Sequence, residues 1–129
     1  HFTTAATSTE CFVGFGSFFS KRSVKVGEKV SIGAYCVIGS VDIGEGTLIA
    51  SKVSIPSGRH QHSTGDAEKK NDEMNVEMIS IGAHCWIGEN ALILADVGDN
   101  SVIGGGSVVV KPVPDNVTAV GNPAKVISM

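Results

Sequence analysis

The stretch Ile81-Gly82-Ala83-His84-Cys85-Trp86-Ile87-Gly88-Glu89-Asn90-Ala91-Leu92-Ile93 places an aliphatic residue at every sixth position, and glycine follows two of the three. The same step extends both ways along the chain. Upstream it runs through Val26-Gly27, Ile32-Gly33 and Ile38-Gly39, then, one residue early, through Ile43-Gly44, Ile49 and Ile55. Downstream, two residues early, it resumes at Val97-Gly98, Ile103-Gly104 and Val109. Eight of these twelve aliphatic residues precede a glycine, far more than 16 glycines scattered over 129 residues would give. Repetition at a fixed step is the signature of a stacked-repeat architecture.

A period of six fits neither a helix nor a long alternating strand. It describes a short strand followed by a corner. The positions four residues after the aliphatic starts include Val30, Cys36, Thr47, Val53, Cys85, Ala91, Ser101, Ser107 and Val113, all small or β-branched. The intervening positions hold Glu28, Lys29, Glu45, Lys52, Glu89, Asn90, Asp99 and Asn100. The aliphatic and the small residue therefore point inward and the charged ones outward. Glycine is expected where φ turns positive or where backbones approach closely. Three sixes make one triangular coil of about 18 residues, and coils stack at about 4.8 Å. The expected fold is all-β, a parallel β-helix whose handedness the pattern leaves open. Cys36 and Cys85 fall on the small inward position and read as packing residues.

The repeat is broken by a polar stretch of mixed charge from Gln61 to Glu77, with His60 and His62 at its root. It reads as a loop extruded from one corner, and a long loop rooted in rigid scaffold reads as functional. Phe12 to Phe19 holds four of the five Phe residues and reads as a cap on the open end or as a first irregular coil. Lys111-Pro112-Val113-Pro114 ends the regular steps, because proline removes ladder donors. The layout is thus one domain: an N-terminal cap over 1–25, coils over 26–60 and 79–113, the extruded loop over 61–78, and a C-terminal clip over 114–129.

Composition narrows the function. A net charge of −3 argues against nucleic acid or an anionic membrane as partner. No apolar run approaches the roughly 20 residues of a membrane span. His1-Phe2-Thr3-Thr4 shows no basic region before an apolar stretch, so no leader is expected. Three scattered cysteines without a CxxC pair predict neither a disulfide framework nor a thiolate zinc site, and fit a reducing cytoplasm.

Ile81 to Gly88, Ile103-Gly104-Gly105-Gly106-Ser107-Val108-Val109, Val113-Pro114-Asp115-Asn116 and Gly121-Asn122-Pro123-Ala124-Lys125 together resemble the hexapeptide-repeat acyltransferases. Within them the chain is similar to the sugar O-acetyltransferases and the acetyltransferases of bacterial surface polysaccharides. The resemblance implies a left-handed β-helix and a homotrimer with active sites between subunits. It implies acetyl-CoA as donor, no required metal, and a histidine general base. Val53-Ser54-Ile55-Pro56-Ser57-Gly58-Arg59-His60 looks like the family's run into the extruded loop, which gives His60 the catalytic role. His62 is the rival base and a candidate contact to the acceptor. For the donor, the resemblance places Trp86 and Glu89 beside the reacting end and Gly105 against the pantetheine. It places Val110 and Lys111 along the outer part and Lys125 near phosphate. The small inward residue before it turns Trp86 outward, and His84 likewise reads as surface-facing.

The expected function is transfer of acetyl from acetyl-CoA to a hydroxyl of a saccharide or glycan precursor. Three alternatives stand beside it. One is N-acetylation of an amino sugar or nucleotide sugar. The second is a γ-class carbonic anhydrase-like lyase using His60, His62 and His84 as zinc ligands. The third is a non-catalytic solenoid.

Overall fold

A computed structural model describes residues 11–19, 23–56 and 78–128. The aliphatic steps form short strands on three faces of a prism. The first face holds β1 (Phe12–Val13), β4 (Ser31–Ile32), β7 (Leu48–Ile49), β10 (Trp86–Ile87), β12 (Val102–Ile103) and β14 (Thr118–Gly121). The second holds β2 (Phe18–Phe19), β5 (Val37–Ile38), β8 (Ser54–Ile55), β11 (Leu92–Ile93) and β13 (Val108–Val109). The third holds β3 (Val24–Val26), β6 (Val41–Ile43) and β9 (Ile79–Ile81), continued by bridges from Ile81 to Val97 and from Val97 to Val113. All these pairings are parallel, each strand lying over its equivalent in the next coil. The architecture is the three-sided parallel β-helix that the period of six predicts. The last strand, β15 (Ala124–Ser128), folds back antiparallel on β14.

The core follows the same arithmetic. All twelve aliphatic starts, from Val26 to Val109, are buried, and so are all nine small residues named above. Isoleucines such as Ile32, Ile49, Ile87 and Ile103 are stacked one above another on the first face, each contributing about 2–3 kcal/mol by leaving water. The small inward residues also close hydrogen bonds. Thr47 Oγ1 donates to Gly82 O and accepts from Cys85 N, tying one coil to the next.

Corners explain the glycines. The first corner, between first and second faces, and the third, between third and first, each take four residues. The third residue of every such corner is left-handed: Gly16, Lys29, Tyr35, Gly46, Lys52, His84, Asn90, Asn100, Gly106 and Asn116. Non-glycine residues fill most of these places. The repeat glycine stands two positions earlier, where its role is close approach between coils. A Cβ on Gly44 would lie 2.6 Å from Ala83 N, and one on Gly88 2.5 Å from Gly105 N. Ala50 and Pro114 take this place in two corners, and no glycine in it has positive φ.

Coil length varies only between the second and third faces. Equivalent residues of successive coils are 19, 17, 38, 16 and 16 apart. The two early steps in the repeat are therefore real short connections, at Gly39–Ser40 and at 94–96, and the parallel register is intact across both. The polar insertion leaves from this same second corner, after Pro56, and returns at Met78. At the N-terminal end, Phe12 to Phe19 is a coil in register with the next, not a lid: Phe12 pairs with Ser31 and Phe18 with Val37. The C-terminal clip is open, with Val126 and Ile127 exposed on β15.

Candidate functional site

Outward-facing residues on the first face form a column set by the register: Phe12, Ser31, Leu48, Trp86, Val102 and Thr118. Trp86 is 48% exposed and sits between Leu48 and Val102. Its surroundings are thus apolar. One corner further along the chain is Glu89, exposed, and Gly105 occupies the same place one coil on.

The corner Gly104-Gly105-Gly106 is bare backbone. A Cβ added to Gly106 would meet nothing within 4 Å, and one on Gly105 would meet only Glu89 backbone, at 3.2 Å from its carbonyl oxygen. Gly106 N donates to Glu89 O at 2.8 Å, which holds this corner on the one below. Elsewhere a side chain from the next coil covers the corner: the Tyr35 ring lies over Gly16 and the His84 ring over Gly46. In three other corners the second N–H is capped by a side chain of the next coil. Ala34 N donates to Ser51 Oγ at 3.0 Å, Ala83 N to Asp99 Oδ1 at 2.9 Å, and Asp99 N to Asp115 Oδ1 at 2.7 Å. Glycine at 105 removes any such cap above Glu89. Within the corner Gly104 N donates to Ala119 O at 3.0 Å and Ser107 N to Gly104 O at 3.3 Å, so Gly105 N is the amide left without an acceptor among the described residues.

From Gly105 the chain follows β13 across the second face to Val110 and Lys111, both exposed, roughly 15 Å away at strand rise. Lys125 on β15 stands opposite Val120 of β14, and Val120 Cγ1 packs where a Gly104 side chain would go. The structure therefore gathers Trp86, Glu89, Gly105 and Lys125 around the last turns of the first corner. Val110 and Lys111 mark the far end of the same strip. His60 and His62 lie outside the described residues. The described chain breaks off at Pro56 on the second corner, and Val110 stands on that same corner two coils along. His84 is exposed at the third corner, away from this strip. Sequence reading missed Leu48 and Val102 beside Trp86, and Gly104 and Gly106 beside Gly105. Counting coil lengths would have revealed the first pair.

Cys36 and Cys85 are packing residues. Cys36 Sγ donates to Ala50 O at 3.2 Å and Cys85 Sγ to Gly98 O at 2.9 Å, both buried. Burial pushes the Cys85 thiol above its ordinary range, which disfavours the thiolate a nucleophile needs.

A prism of hexapeptide coils with a bare glycine corner beside an outward tryptophan defines a class, and sequence comparison agrees. A family model described as the hexapeptide repeat of succinyl-transferase matches residues 23–55 and 78–111, more than half the chain. The chain belongs to the hexapeptide-repeat transferase family. It is 44% identical to the galactoside O-acetyltransferase of Escherichia coli over 92 residues, 68% of this chain and 43% of that protein. It is 36% identical to the putative lipopolysaccharide biosynthesis O-acetyl transferase WbbJ of Escherichia coli over 123 residues, 88% of this chain and 61% of that protein. Among solved structures, a galactoside acetyltransferase in complex with coenzyme A superposes with a TM-score of 0.70 at 30% identity, covering 91% of this chain and 63% of that one. The chain spans about half the length of the curated relatives it matches.

Proposed function

We propose that the chain carries acetyl-CoA-dependent O-acetyltransferase activity toward a hydroxyl of a saccharide, of the kind found in bacterial surface glycans. The observation that carries this reading is the bare Gly104–Gly106 corner. It lies between an apolar wall at Trp86 and two exposed lysines, Lys111 and Lys125. A long thin donor with a thioester at one end and phosphates at the other fits such a strip. Relatives named for galactoside and lipopolysaccharide O-acetylation, and a galactoside acetyltransferase structure containing coenzyme A, support the donor and the acceptor class.

In this reading His60 is the general base. Neutral imidazole takes the proton of the acceptor hydroxyl as its oxygen attacks the thioester carbonyl. The N–H groups of Gly105 and of Glu89 beneath it, which no acceptor among the described residues caps, serve as donors to the oxygen on which charge develops. The C–S bond then breaks, and the imidazolium returns the proton to the departing thiolate. Transfer is direct, in keeping with the buried cysteines. The protein works as a homotrimer with its sites in the clefts between subunits, in a reducing cytoplasm where three free thiols persist.

The test is release of free CoA thiol over a panel of sugars and amino sugars. His60→Ala is expected to lower kcat at least hundredfold while the thermal shift produced by CoA is unchanged. Near-normal turnover in that variant overturns the base assignment and moves it to His62. Absence of any CoA-induced shift in the unsubstituted protein overturns the donor.

A further inference from the structure

Three hydroxyls at the small inward place tie one coil to the next in the same way. Ser17 Oγ accepts from Cys36 N at 3.0 Å, Thr47 Oγ1 from Cys85 N at 3.0 Å, and Ser101 Oγ from Val117 N at 3.3 Å. In each pair the donor is the equivalent residue one coil on. Ser107 departs from this pattern. The β12–β14 register, continued past Ala119, would set Pro123 over it, and proline has no N–H to give. Ser107 Oγ instead accepts from Gly121 N at 3.1 Å, two residues early. Gly121 has a φ of 107° at the second place of a corner, whereas in the complete corners the left-handed residue is the third. There the chain leaves the prism and turns back as β15.

We infer that Ser107 is a positioning residue for the donor strip, an inference that rests on the donor reading above: its hydroxyl catches Gly121 and so sets Lys125 beside the bare corner. Ser107 is fully buried and touches no ligand lying on the strip. It acts through the hairpin. Gly121 opposes Ala124 and Val120 opposes Lys125, so fixing Gly121 N fixes the start of β15 and the residue that carries the ammonium. Coil stacking does not need this hydroxyl. Ala91 fills the same place one coil below, where it offers no side-chain acceptor. Ala91 N and Ser107 N each close their own corner, on Gly88 O and Gly104 O, both at 3.3 Å. What the hydroxyl adds is an anchor for the exit. Where it catches the chain matters as well. Held at Gly121, the chain turns away before a further corner can lie over Gly106, and Val120 alone comes down, on Gly104. One buried bond thus keeps Gly105 and Gly106 uncovered and holds the lysine strand next to them.

Calorimetric titration with CoA tests it, with circular dichroism to verify folding. Ser107→Ala fits the prism, since alanine already fills the equivalent place at Ala91, and it is expected to raise the Kd for CoA about tenfold. Ser107→Thr keeps the acceptor, as Thr47 does at the inward place of another corner, and is expected to bind within about twofold of the unsubstituted chain. Ser101→Ala removes the same kind of bond from the third corner and is expected to lower Tm while leaving the Kd unchanged. Lys125→Ala supplies the decisive comparison. A hydroxyl that acts by placing Lys125 has nothing left to place in the double variant, so Ser107→Ala combined with Lys125→Ala is expected to bind CoA no more weakly than Lys125→Ala alone. Losses that multiply in the double variant overturn the assignment, as does a Ser101→Ala that weakens CoA equally. A Ser107→Ala or a Lys125→Ala that binds CoA normally overturns it too. In all of these the unsubstituted chain still takes up CoA and the donor reading stands. An unsubstituted chain that takes up none overturns the donor reading, and this role of Ser107 with it.

Discussion

The first corner of the prism is built twice with opposite outcomes. At its N-terminal end Gly14-Phe15-Gly16-Ser17 is overlaid by Tyr35, and two rings fill the space beside the backbone. At its C-terminal end Gly104-Gly105-Gly106-Ser107 has the same left-handed third residue, with φ of 73° against 79° at Gly16, yet nothing covers that third residue, and Val120 packs only over Gly104. Backbone geometry is the same at both ends. What differs is whether the next coil supplies a side chain. Coil geometry sets where a surface lies, and a single residue per coil decides whether that surface is a contact or an opening.

Glycine substitutions break the comparison most strongly. Gly88→Ala drives a methyl into Gly105 backbone, where no side chain can yield, and unfolding by denaturant is expected to show a loss of about 3 kcal/mol. Gly105→Leu, one coil on, brings its Cβ to 3.2 Å from the Glu89 carbonyl oxygen, a contact that a shift of a few tenths of an ångström relieves, with no other atom within 4 Å except Glu89 N. Its Tm is expected within a few degrees of the unsubstituted protein, while CoA affinity measured by calorimetry falls at least tenfold, about 1.4 kcal/mol. Equal losses of stability in the two variants would show that the corner is not an opening. The smallest effect concerns Cys85. Its raised pKa means that the unfolded chain gives up the thiol proton first as pH rises. Stability is therefore full below the ordinary thiol range and declines above it, and denaturant midpoints at pH 8 and pH 10 are expected to show the decline. An unchanged midpoint would show that the thiol is solvated.

The repeat made the rungs, the buried positions and the insertion legible from residues alone. Ile87 and Cys85 could be placed inward, and Trp86 outward, because six-residue spacing alternates them without reference to any distant neighbour. Two things were not legible. The repeat glycines looked as if they served positive φ or close packing, and the coordinates assign them to close packing, while His84, Asn90 and Asn100 take the left-handed places. The neighbours of outward-turned Trp86, Leu48 and Val102, come from coils 38 and 16 residues away and show only in the register.

By itself the sequence determined that an aliphatic and a small residue turn inward on every rung, since that follows from local spacing and from the free energy of removing them from water. Only the tertiary structure decided which outward residues become neighbours. That depends on how many residues each second corner consumes, from the three between Ile93 and Val97 to the whole stretch between Ile55 and Ile81. Stacking converts those differences in chain length into a common register.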